Sequence, residues 1–107
     1  MKTVSARELA TWLADDLREK PMLLDVREPW EMQICRIEGS ELVPMQSLPS
    51  RLREIDAGRP IVCICHHGRR SAYVAMFLAQ QGFDDVHNLT GGVDAWARQV
   101  DAAMPTY

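Results

Sequence analysis

Ile61-Val62-Cys63-Ile64-Cys65-His66-His67-Gly68-Arg69-Arg70-Ser71, continuing as Ala72-Tyr73-Val74-Ala75-Met76-Phe77-Leu78, sets the fold, because three kinds of local structure follow one another in it. The run from Ile61 to Cys65 is apolar and rich in β-branched residues, the pattern of a buried strand, while Tyr73, Val74, Phe77 and Leu78 recur at helical spacing. Between them lies a polar loop with one glycine and two arginines. Strand, loop and helix in this order place the Cys65 thiol at the carboxyl end of the strand and turn loop N–H groups and the positive end of a helix dipole toward it. A thiol so placed is expected to be acidic and nucleophilic.

The rest of the chain limits what that thiol can serve. With 107 residues, 47% hydrophobic and 25% charged, the sequence predicts one compact domain over residues 1–107. Its 12 basic and 15 acidic residues give a formal charge of -3, which offers no general attraction for nucleic acid or for an anionic membrane. Apolar runs are short, and Met1-Lys2-Thr3-Val4 lacks the core of a signal peptide, so the expected location is cytoplasmic. Three cysteines, Cys35, Cys63 and Cys65, are an odd number and argue against a structural disulfide framework.

In chain order, Met1 to Val4 reads as a short strand, and Ser5-Ala6-Arg7-Glu8 as a capping box, with Val4 and Leu9 as a hydrophobic staple. Leu9, Trp12, Leu13 and Leu17 form one apolar stripe of a helix ending before Pro21. Met22 to Val26 is a second buried strand, followed by a polar segment from Asp25 to Glu31 in which Pro29 opens a short helix. Ile34 to Ser40 is an irregular linker, and Leu42 to Met45 a strand that Pro44 pushes to a sheet edge. Leu48, Leu52 and Ile55 mark a small helix closed by Gly58. After the opening stretch, whose helix ends at Gly82, come a strand over Val86 to Leu89, a turn at Gly91-Gly92, and a helix with Val93, Trp96, Ala97 and Val100 on one face. The alternation predicts an α/β three-layer sandwich, a largely parallel central sheet of about five strands flanked by helices. Function belongs at the carboxyl ends of the strands.

Four residues separate Cys65 from Arg70, and Ser71 follows. Successive N–H groups over so short a loop converge on one point and make an anion nest, with Gly68 supplying a left-handed turn. Arg69 and Arg70 are candidates to attract an anionic donor, and His66 and His67 to line the rim, a solvent-facing His66 being the alternative. Asp25 and Arg27 read first as a structural ion pair supporting the site. Cys63 reads as a small buried hydrophobe. A zinc site from Cys63, Cys65, His66 and His67 is disfavoured because its ligands come from one packed segment, so neither metal nor cofactor is expected. His87 reads as structural.

Leu24-Asp25-Val26-Arg27-Glu28, Cys65-His66-His67-Gly68-Arg69-Arg70-Ser71, Gly82-Phe83 and Asn88-Leu89-Thr90-Gly91-Gly92-Val93-Asp94-Ala95-Trp96 together resemble the single-domain rhodaneses in order and spacing, over nearly the whole chain. The resemblance implies a thiosulfate or persulfide sulfurtransferase that works through a Cys65 persulfide held by the loop His66 to Ser71. Small sulfur donors and thiol acceptors, or a sulfur-relay protein, are the partners it implies. The chain departs from the family where Gly-His-Ile-Pro-Gly is usual and Cys35-Arg36-Ile37-Glu38-Gly39 stands instead. Cys35 thereby becomes a candidate resolving thiol for the persulfide.

Two other readings use the same thiol. A phosphatase or arsenate reductase cradles a tetrahedral oxyanion in a loop resembling Cys-x5-Arg, one residue longer than this one, where the sixth position after Cys65 is Ser71. A non-catalytic module would carry sulfur or bind a partner without turnover. Retention of Cys65 with its whole loop favours catalysis.

Overall fold

The computed structural model describes residues 1–107. Its centre is one sheet of five strands, β1 (Lys2–Val4), β2 (Met22–Asp25), β3 (Glu41–Leu42), β4 (Ile61–Ile64) and β5 (Val86–Leu89), in the order β1-β5-β4-β2-β3. Every pairing is parallel, with Leu24 opposite Cys63 and Cys63 opposite Asn88. The strand that delivers Cys65 is therefore central, fixed by ladders on both sides.

Helices α1 (Ala6–Ala14) and α4 (Gly92–Gln99) cover one face of the sheet, and α3 (Arg69–Gln80) covers the other; α2 (Pro29–Ile34) follows β2. Side chains alternate across the sheet. Leu23, Val62 and Ile64 pack with Leu9, Trp12, Val93 and Trp96, whereas Met22, Leu24, Ile61 and Cys63 pack with Val74, Ala75 and Leu78. A strand buried on both faces has to be apolar at every position, which is why β4 reads as an unbroken run. Each fully buried aliphatic side chain in these layers contributes about 1.5–3 kcal/mol relative to leaving it in water.

The start of α1 follows the sequence pattern. Glu8 N–H donates to Ser5 Oγ at 3.1 Å, Ser5 N–H donates to Glu8 Oε1 at 2.8 Å, and Val4 and Leu9 join the same core. Its end does not. Asp15 is extended and its carboxylate accepts the Leu17 N–H at 3.0 Å, a local turn that competes with helix, so Leu17 lies outside the stripe and is 99% exposed. Tyr73 also leaves its expected face at 68% exposed, because the buried face of α3 runs through Ser71, Val74, Ala75 and Leu78, with Ala75 about 200° round the helix from Tyr73. Val100 is the C-cap of α4 and is half exposed.

Two further expectations shift. The small helix near Leu48 is two 3-10 segments, Met45–Ser50 and Leu52–Glu54, since Pro49 has no N–H and its ring would meet the carbonyl four residues back in an α-helix. The edge strand shortens to Glu41–Leu42. Val43 N–H and Met45 N–H still donate to the carbonyls of Asp25 and Val26, at 2.9 and 3.0 Å, and Pro44 between them needs no partner at the sheet edge. Gly91 and Gly92 both have positive φ, and Gly92 is the first residue of α4.

Candidate active site

β4 ends at Ile64, and Cys65 sits directly beyond it at the floor of an open cleft of about 620 Å³. Gly68, at φ +95°, reverses the chain and serves as N-cap of α3. The reversal points two N–H groups at the cysteine sulfur, Gly68 N–H at 3.1 Å and Ser71 N–H at 3.4 Å, and brings Ser71 Oγ to 3.3 Å. The two N–H groups and the first turn of α3 favour negative charge on the sulfur or on an atom attached to it.

The loop is braced from behind by β5 and the first turn of α4. Asn88 Nδ2 donates to the Gly68 carbonyl at 3.0 Å and Asn88 Oδ1 accepts from Ser71 Oγ at 2.5 Å. Val93 N–H donates to the Cys65 carbonyl at 2.9 Å and Asp94 N–H to the His66 carbonyl at 3.1 Å. Such close contact requires glycine. A Cβ on Gly68 would lie 3.0 Å from Gly91 N and 3.1 Å from Leu89 O, and one on Gly92 would collide with the carbonyls of Cys65 and His66.

The two arginines differ. Arg69 is exposed and lines the cleft with Met45, His67 and Tyr73. Arg70 also lines it, but its Nη1 and Nη2 each donate at 2.8 Å to Glu31, which is 3% exposed. Both Glu31 oxygens are shared. Oε1 also accepts from Tyr107 Oη at 2.8 Å, and Oε2 from Glu28 N–H at 2.9 Å. The Arg70 hydrogen bonds, outweighing the opposing effect of burial, draw the Glu31 pKa down to about 2.

Asp25 and Arg27 form a fully buried bidentate pair, with Nε and Nη2 of Arg27 2.9 and 2.7 Å from the carboxylate. They do not line the cleft. Burial acts against the Arg27 cation, but the hydrogen bonds to Asp25 and Tyr107 prevail and raise its pKa. Arg27 Nη2 donates to the Cys35 carbonyl at 2.8 Å, and Nη1 to Tyr107 Oη at 3.0 Å. A chain of contacts thus runs from Asp25 through Arg27, Tyr107 and Glu31 to Arg70.

His66 lines the cleft, as the sequence predicts. Its ring does not face solvent but stacks on Tyr107, centroids 3.8 Å apart and planes 6° from parallel, with Nε2 buried and without a hydrogen-bond partner. Burial, and then the neighbouring His67, lower its pKa. His67 is exposed at the rim, 3.8 Å from the His66 ring. Cys63 lies in the core, where burial pushes its thiol up to about 12. Cys35 is buried with Sγ 3.8 Å from Arg27 Nη1. The only group of three metal-ligating side chains with donor atoms within 4.8 Å of one another is His66, His67 and Asp94, and Asp94 is already held by Arg98 at 2.9 Å. His87 packs edge-on against Trp12 and pairs with Asp85 at 2.8 Å.

Sequence reasoning missed Glu31, Tyr107 and Asn88. Glu31 falls at the end of the polar segment after β2, three residues from Glu28, a capping-box spacing that could have singled it out. Nothing in the local pattern marks Tyr107, whose partners lie 76 and 80 residues away.

The family model for the rhodanese-like domain matches residues 9–99. A sulfurtransferase of Allochromatium vinosum is 38% identical over 95 residues, covering 89% of this chain and 87% of that protein. Rhodanese-like/PpiC domain-containing protein 12 of Arabidopsis thaliana, a chloroplastic protein, is 32% identical over 112 residues, covering all of this chain; the chain spans only 38% of that relative's length. A rhodanese-like domain protein from Staphylococcus aureus superposes with a TM-score of 0.85 at 28% identity, over 100% of this chain and 99% of the other.

Proposed function

The chain belongs to the rhodanese-like domain family, and on that premise we propose that it is a sulfurtransferase that moves a sulfane sulfur from thiosulfate or a persulfide donor to a thiol through a persulfide on Cys65. The observation that carries the reading is the cradle itself: two backbone N–H groups aimed at one sulfur, 3.1 and 3.4 Å away, at the floor of an open cleft.

In the first step the Cys65 thiolate attacks the outer sulfur of thiosulfate. An S–S bond forms to Sγ, the donor S–S bond breaks, and sulfite departs with the bonding pair. Loop amides hold the anionic terminal sulfur. In the second step an acceptor thiolate attacks that sulfur and leaves as a persulfide, restoring the Cys65 thiolate; cyanide in an assay would leave as thiocyanate. Both steps are displacements at sulfur, so the cycle draws on no cofactor or metal. Asp25 and Arg27 support the site at one remove, through Tyr107 and Glu31 to Arg70, and Arg69 is the charge free to meet the donor. We place the protein in the cytoplasm, where thiols stay reduced and the acceptor is a small thiol or the cysteine of a sulfur-relay protein.

Mass spectrometry of the protein after thiosulfate treatment tests the reading. One added sulfur on Cys65, removed by cyanide and absent in Cys65→Ser, is the expected result. An unmodified Cys65 would overturn the reading, and turnover of an aryl phosphate that Cys65→Ser abolishes would replace it with the phosphatase reading. A persulfide that forms but never turns over would make the protein a carrier.

A further inference from the structure

We propose that Tyr107 is a positioning residue for the cysteine loop: its ring seats His66, and its hydroxyl, through Glu31, sets the guanidinium of Arg70. The inference rests on three contacts made by one side chain, two to the segment after β2 and one to the cysteine loop. Tyr107 Oη accepts from Arg27 Nη1 at 3.0 Å and donates to Glu31 Oε1 at 2.8 Å, while the ring lies flat on His66 at 3.8 Å. Trp30 closes over its other side, edge to face at 6.0 Å.

Each contact has a consequence for the loop. Glu31 Oε1 is the oxygen that also holds Arg70 Nη2, so the tyrosine hydroxyl fixes where that carboxylate, and hence the guanidinium, stands. Apart from Arg70, the carboxylate is held by two donors, Tyr107 Oη on Oε1 and Glu28 N–H on Oε2, and an arginine bound to it by two bonds inherits the orientation they set. The Arg70 side chain remains 35% accessible and lines the cleft over Cys65, so its placement governs the field that an incoming anion meets. His66 is the residue directly after Cys65, and packing its ring holds the loop backbone at that point. The aromatic ring and the hydroxyl therefore act on different members of the same loop.

The test needs no assumption about the group transferred. Alkylation rates of Cys65, followed on its own peptide by mass spectrometry, are compared for anionic iodoacetate and neutral iodoacetamide in the full chain. In Tyr107→Phe, which keeps the ring, the iodoacetate-to-iodoacetamide rate ratio is expected to fall at least about threefold, since Arg70 loses its fixed orientation. In Tyr107→Ala the ratio falls likewise, and His66, no longer covered, titrates closer to the ordinary histidine range by NMR. Wild-type persulfide formation is measured alongside, so failure of the sulfurtransferase reading is seen separately. An unchanged or raised ratio in folded Tyr107→Phe, or an unmoved His66 titration in folded Tyr107→Ala, overturns the proposal.

Discussion

Ser71 gives its hydroxyl proton to Asn88, not to the cysteine sulfur it also faces: Oγ lies 2.5 Å from Asn88 Oδ1 and 3.3 Å from Cys65 Sγ. A hydroxyl has one proton, and the Asn88 amide is oriented by its own bond from Nδ2 to the Gly68 carbonyl. The cradle of the sulfur is thus made mainly by backbone, and Ser71 and Asn88 hold that backbone in shape.

Ser71→Ala is accordingly expected to slow persulfide formation by less than about tenfold, since no principal donor to sulfur is lost, and to reduce stability by about 1–2 kcal/mol through the unpaired Asn88 oxygen. Asn88→Asp should be the more damaging change. It sets a carboxylate oxygen against the Gly68 carbonyl and brings negative charge toward the sulfur. Single-turnover mass spectrometry would check the order; abolition of persulfide formation by Ser71→Ala alone would show that the hydroxyl is a principal donor after all.

The glycines provide a graded series. Gly39→Ala meets only the strain of a positive φ, with nothing within 4 Å of the new Cβ, and should destabilise by about 1 kcal/mol. Gly68→Ala adds backbone atoms at 3.0 and 3.1 Å, and Gly92→Ala adds direct collision with the Cys65 and His66 carbonyls. Urea unfolding should rank them Gly39, Gly68, Gly92 in increasing loss of stability.

Removing one partner of the buried pair leaves a bare charge. Asp25→Ala is expected to reduce stability by about 3–5 kcal/mol, because Arg27 is 0% exposed and cannot reach water. Replacing both with apolar residues, as in Asp25→Leu with Arg27→Met, should cost less than the single change. A double-mutant cycle by thermal unfolding measures the difference.

Glu31 gives a pH dependence of known sign. Its folded pKa of about 2 lies below the ordinary value of 4.5, so the bonds to its carboxylate, from Arg70 first and then Glu28 N–H and Tyr107, contribute their full stability above pH 4.5 and lose it as pH falls from there toward 2. The amount at neutral pH is on the order of 3 kcal/mol. Between these pH values wild type should lose stability more steeply than Glu31→Gln, which has no carboxylate to protonate. Parallel slopes in denaturant titrations across this range would contradict the assignment.

Periodicity and punctuation made most of the architecture legible. The unbroken apolar run of β4, the capping box at Ser5 and the glycines around the loops are local signals whose physical cause lies within a few residues. Leu17 and Tyr73 misled because apolar character alone does not say where a helix stops or how wide its buried face is; Asp15 and Ala75 decided those questions. At the site, Cys65, Gly68 and Ser71 were readable from spacing, since strand, turn and helix fix them relative to one another. Arg70 was readable as a residue near sulfur but not as one bound to Glu31, and His66 not as one covered by Tyr107. Those contacts join segments far apart in sequence and exist only once the sheet has brought them together.

The bonds from Val93 and Asp94 to the carbonyls of Cys65 and His66 carry a consequence for the order of events during synthesis. Cys65 is synthesised well before the turn at Gly91 and Gly92 that precedes those two donors. Until that later turn docks, the loop of Cys65 lacks its bracing, and the cradle around the sulfur is complete only with the last helix.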